Sequence, residues 1–193
     1  YTPSAEFRKR MQQKIAAKAQ TSFGLRWMLA AAAAVILVTG SLTSAYLETR
    51  RGGDHVFSEI ADLHVETLAS SSPVDVISTD RHTVKPWFQG KIPFAFNLPE
   101  LQNTEFSLLG GRMTYLEQTP GAHLIYDVRK HHISVFVFQE RSLPAKLGKN
   151  PVSPKQLPFN METWSQGGLR YFVIGDAGSG DIDTLAKLFK AAS

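Results

Sequence analysis

The residues able to do chemistry are few and mostly badly spaced for it. The 193-residue chain has six histidines and no cysteine. That excludes a disulfide framework, a cysteine-containing zinc finger, an iron–sulfur centre and a cysteine nucleophile within it. His131 and His132 are adjacent where a strand-like run, HISVFVFQ (132–139), begins, and neighbouring strand residues point to opposite faces. His55 and His64 lie nine apart in a helical stretch, which also turns them apart. There is no HExxH, GxSxG or P-loop, and no carboxylate–histidine cluster of metal-site spacing. The glycine-rich run 175–180, GDAGSG, lacks a GK[ST] ending and has no βαβ unit after it, so it reads as a turn. These absences argue against an enzyme and leave no catalytic, cofactor or metal residue to assign.

One short segment is chemically dense. Arg81, His82, Lys85 and Trp87 stand together in RHTVKPWF (81–88), joining two permanent cations, an imidazole and an indole beside a proline. Such a segment suits recognition of an anion or a partner protein. The plainer alternative, which we prefer, buries Trp87 and Phe88 in the core and pairs Arg81 and Lys85 with nearby acids such as Asp80.

The elements that must position these residues begin with a charge asymmetry. Residues 1–26 hold six bases and one acid, whereas the remaining 167 hold 15 bases and 16 acids. The basicity is therefore a short tail, and the body has no nucleic-acid-binding field. Next comes Trp27–Tyr46, twenty residues without a charge. At about 1.5 Å per residue it spans about 30 Å, a bilayer core, with an aromatic ring at each end. Six bases before it against Arg50 and Arg51 after it place the N-terminus in the cytoplasm and the body outside. A cleavable signal peptide has the same outline. The 26-residue charged region and the first residue, Tyr1, favour a retained anchor.

Upstream, Phe7, Met11 and Ile15 recur at helical spacing and form an apolar stripe on a basic helix. It suits either the inner leaflet or a cytoplasmic docking partner. Downstream, Gly52-Gly53 reads as a hinge within a stalk over 47–53. Asp54 reads as the cap of a helix to about 69 whose buried face is Val56, Ile60, Leu63 and Leu68. Strands are expected at 74–78, 106–117, 122–129, 132–139, 159–166 and 169–175. Hairpin turns are expected at Pro120-Gly121, Lys130-His131 and Gln166-Gly167. The run 132–139 is apolar on both faces and should be central. Gly110-Gly111 should mark a bulge, 141–158 an exposed connection and 181–192 a closing amphipathic helix. The fold class expected is α+β: an antiparallel sheet with flanking helices in an outer domain, 54–193, preceded by one transmembrane helix and a short basic helix.

Within that frame, DVISTDRHTVKPWFQGKIPF (75–94), FSLLGGRMTYLEQTPGAHLIYDVRKHHISVFVF (106–138) and WSQGGLRYFVIGD (164–176) resemble the outer part of transmembrane anti-sigma factors of proteobacterial type. DRHTVKPWF and LLGGRMTYL are the most specific pieces. The resemblance implies an inner-membrane, single-pass protein that holds an extracytoplasmic-function sigma factor inactive. It also implies release by signal-dependent proteolysis through a site-1-type protease and an intramembrane protease. Many relatives carry a zinc-binding His/Cys motif before the span. Either that zinc domain lies upstream of Tyr1, or the helix over 3–18 is its tail. The alternative function is an exported periplasmic binding domain released from a signal peptide.

Overall fold

The computed structural model describes residues 4–143, 147 and 158–192, leaving the side chains of 15–26 and 48–54 undescribed. It divides into two units, 1–48 and 49–193.

From Ala5 onward the first unit is helical, as the N-terminal stretch of α1, Ala5–Ala69. Within α1, Trp27–Leu47 is long and apolar enough to be a membrane span or a signal sequence (mean hydropathy 1.9). Its hydroxyls bond back onto the helix: Thr39 Oγ1 to the Val35 carbonyl at 2.8 Å, Ser41 Oγ to that of Val38 at 2.9 Å, and Thr43 Oγ1 to that of Thr39 at 2.7 Å. Polar side chains there need no outside partner.

The second unit is α+β. Its strands are β1 (Val76–Ile77), β2 (Phe106–Leu116), β3 (Thr119–Val128), β4 (His131–Gln139), β5 (Asn160–Gln166) and β6 (Leu169–Gly175). They form one sheet in the order β1-β2-β3-β4-β6-β5, antiparallel at every junction. Two helices accompany them, α2 (Arg81–Trp87) and α3 (Ser179–Ala192).

The alternation along β4 explains the layering. Ile133, Val135 and Val137 face a core completed by Val84 and Phe88 near α2 and by Ile182, Leu185 and Phe189 of α3. Phe136 and Phe138 face the opposite core, closed by Val56, Phe57, Ile60 and Ala61 of α1. All five strand residues are fully buried, as a central strand apolar on both faces requires.

Several local expectations need correction. α1 runs on through Gly52-Gly53 and has no new start at Asp54. A glycine costs a helix about 1 kcal/mol against alanine but does not break it. The buried face of 54–69 adds Phe57, Ala61, His64 and Thr67, while Leu68 is exposed. The strand expected at 74–78 shrinks to two residues. The β2–β3 turn is Glu117-Gln118, both with positive φ, and Pro120-Gly121 belong to β3. Pro120 precedes the β3–β4 ladder, which starts at Gly121 opposite Phe138, so its missing N–H forfeits no bond there. The connection expected over 141–158 falls mostly outside the described residues.

The bulge expected at Gly110-Gly111 is present between Leu108 and Gly110. Gly110 has φ +152°, and a Cβ on it would lie 2.0 Å from the Val76 carbonyl oxygen. The bulge lets β1 approach the backbone of β2, which only glycine allows. Gly110→Ala is expected to detach β1 and cost a few kcal/mol, on the order of other strained-backbone changes. Urea denaturation of the variant against the parent chain checks this.

Candidate functional site

The dense segment found in the sequence folds as α2. Asp80 stands before its first residue with extended backbone, and its carboxylate accepts the His82 N–H at 2.8 Å. That is N-capping, not the pairing with Arg81 or Lys85 that was expected. Pro86 removes one helical N–H. The following amides of Phe88 and Gln89 bond back three residues, to Lys85 and Pro86 carbonyls, and the helix closes after two turns. Val84 and Phe88, four apart, turn inward. The Phe88 ring fills the space a Cβ on Gly111 would take, with its Cζ 2.9 Å away.

The opposite side of α2 carries the cations. Arg81 forms an ion pair with Glu100, and its Nη1 donates to the Leu98 carbonyl at 3.5 Å. Lys85 Nζ donates to Asn97 Oδ1 at 2.8 Å. Together with His82 they line a groove of about 530 Å³, between α2, the segment through Glu100 and the last turn of α3, where Leu188 and Ala191 supply an apolar wall. Three of the four expected recognition residues therefore share one site. Trp87 is not among its lining residues. It is half-buried, edge-on to Phe88, with Lys91 Nζ 4.3 Å from its ring centre. Only Phe88 of the two aromatics is fully in the core. An anion entering the groove meets Lys85 held by a neutral amide, but must displace Glu100 to reach Arg81.

The expected docking stripe lies in the first unit. Phe7 and Met11 are 58% and 53% exposed, while the side chain of Ile15 lies outside those described.

A second constellation escaped the sequence entirely. His64 of α1, His123 of β3 and Ser134 of β4 meet in the interior, with Ser134 Oγ 2.8 Å from His64 Nδ1 and 2.9 Å from His123 Nε2. With both rings neutral, the hydroxyl donates to one ring nitrogen and accepts from the other. His123 stacks on Phe136 at 4.1 Å, and Phe159 stands edge-on to His64 at 4.9 Å. Burial pushes His64 down to about 4, opposed by Asp176 and assisted by His132. Burial also pushes His123 down to about 3, helped by Arg112 and His64. Both imidazoles are thus neutral structural groups at pH 7, tying α1 to the middle of the sheet.

No family model, curated protein or solved structure matches the chain. The site must be read from its own chemistry. A groove with two cations, an imidazole and an apolar wall has the means to bind an anionic or amphipathic group. His131 and His132, each beside a carboxylate (Asp176 and Asp127), diverge as their strand positions dictate.

Proposed function

We propose that the chain is a membrane-anchored anti-sigma factor whose outer α+β domain receives a signal through the α2 groove and holds the protein uncleaved until then. In this reading residues 1–26 lie in the cytoplasm, and Trp27–Leu47 crosses the inner membrane. A site-1-type protease and then an intramembrane protease release the extracytoplasmic-function sigma factor. Residues 1–26 contain no histidine or cysteine, so the His/Cys zinc motif of that family's relatives is not among them.

The observation that carries the reading is an interlock. DRHTVKPWF and LLGGRMTYL, the two stretches most like that family, are separated in sequence but close on each other in the fold. Phe88 of the first seats on Gly111 of the second. The contact joins the two stretches in one unit of the outer domain, as the proposed reading requires. The hydroxyl-rich outer half of the apolar stretch adds support. Side chains that bond back to the helix compete with its backbone bonds and ease the local unwinding an intramembrane protease needs.

The orientation is tested with a reporter active only outside the cytoplasm. Fused after Ser193 it is expected to work, and fused at Gln20 it is expected to fail. Deleting the protein in its own cell is expected to raise sigma-dependent transcription without an inducer. Unchanged transcription, with a body that washes out of membranes, supports the exported binding domain instead.

A further inference from the structure

We propose that His55, Glu59 and Glu117 form a divalent-cation site of the zinc class that clips α1 to the β2–β3 turn. The three residues offer one imidazole nitrogen and two carboxylate oxygens, all within 4.8 Å of one another. His55 and Glu59, four apart, share one face of α1. Glu117 comes from a hairpin 58 residues further on, as the first of the two positive-φ turn residues.

The hairpin also orients the ligands. The Glu117 N–H donates to Glu59 Oε1 at 3.1 Å, which fixes the Glu59 carboxylate and leaves Oε2 facing His55. That second oxygen is sealed from solvent and has no hydrogen-bond partner among the described residues. The Glu59 side chain as a whole is half-buried, and this one oxygen is the part of it without solvent contact or a partner. His55 Nδ1 stands 4.0 Å from it, beyond hydrogen-bond reach, and 3.4 Å from Glu117 Oε1. An ion pair to a protonated imidazole therefore leaves the buried oxygen unsatisfied, whereas a cation placed between the three donors meets all of them.

The donor set favours zinc. Bonds of about 2.0–2.1 Å in a tetrahedron set donors about 3.3 Å apart; the His55–Glu117 edge is 3.4 Å, and the His55–Glu59 edge would close from 4.0 Å on binding. One imidazole and two carboxylates make a borderline donor set and balance the ion's charge. Calcium asks for six to eight oxygens, more than these residues offer. The fourth position falls to water. The site stands on this geometry and not on the regulatory reading. If that reading holds, zinc outside the membrane stiffens the first turns of α1 that pack on the sheet.

The test uses the full chain in detergent micelles, stripped with a chelator and dialysed against Zn²⁺ at pH 7. One ion per chain is expected, with affinity at least about tenfold weaker in His55→Ala and Glu117→Gln and unchanged in His131→Ala and His132→Ala. Glu59→Gln keeps the acceptor for the Glu117 N–H but removes the charge, and should also weaken binding. Circular dichroism confirms that each variant keeps its fold, and X-ray absorption of the bound ion should show only nitrogen and oxygen neighbours. Absence of stoichiometric binding to the parent chain overturns the proposal, as does binding that survives both His55→Ala and Glu117→Gln. Zinc binding in a chain that does not affect sigma-dependent transcription leaves this site standing and counts only against the regulatory reading.

Discussion

Phe136→Ala should unfold or loosen the outer domain and, on the proposed reading, switch on sigma-dependent transcription with no inducer present. The ring is fully buried in the core that α1 covers, and it is the surface on which His123 stacks. Truncating such a residue costs about 3–5 kcal/mol, a large share of the about 5–15 kcal/mol that stabilises a domain. α1 depends on that core, because Val56, Phe57, Ile60 and Ala61 are buried in it. A protease needs extended chain, and the helix around 52–53 supplies it only when local opening is frequent. Lys130→Ala, on an exposed turn, is the control expected to change nothing. A Phe136→Ala protein that has lost its outer fold, kept its anchor and left transcription silent removes the outer domain from the mechanism.

Acid should act on the same junction. His64 and His123 are held near 4 and 3 in the folded protein, against about 6.5 for an unfolded histidine. The unfolded chain therefore takes up protons first as pH falls. The stability these two rings contribute is complete above pH 6.5, declines through pH 6 and 5, and levels off only below their folded values. By pH 4 the loss is on the order of 5 kcal/mol, enough to threaten the fold. Urea unfolding of the full chain between pH 4 and 8 should show stability falling steeply below pH 6.5. In a His64→Gln, His123→Gln double variant, weaker at pH 7, that fall should be much shallower. An equal fall in both proteins assigns acid sensitivity to other groups.

The contrast between these two residues and Phe136 marks what a sequence exposes. Ile133, Val135 and Val137 alternate with Phe136 and Phe138 within six residues, so a two-faced central strand is written in one short window. The hairpins β3–β4 and β5–β6 are legible for the same reason, being local. α2 was hidden because seven residues with an internal proline carry too little periodicity, and its capping aspartate looked like an ion-pair partner. Gly52-Gly53 misled because a helix tolerates two glycines when its flanks are long. The buried histidines were beyond reach: 59 residues separate His64 from His123, and nothing in either neighbourhood names the serine between them. Within the groove, Arg81, His82 and Lys85 were legible because one helical turn gathers them. The acidic and apolar groups opposite them come from elsewhere in the chain.

The strand order has a consequence for biosynthesis. β4 lies between β3 and β6, and β6 is built from residues 169–175, well after β4 in the chain. Until those residues emerge, β4 presents one open edge, and the sequence on that edge is VFVF, with high strand propensity and no charge. A nascent or prematurely terminated chain therefore displays an adhesive strand that the finished protein hides. β6 thus acts as a built-in completion check. A frameshift or stop codon between Gln139 and Leu169 should yield a product that aggregates or is degraded, not a shortened domain that persists.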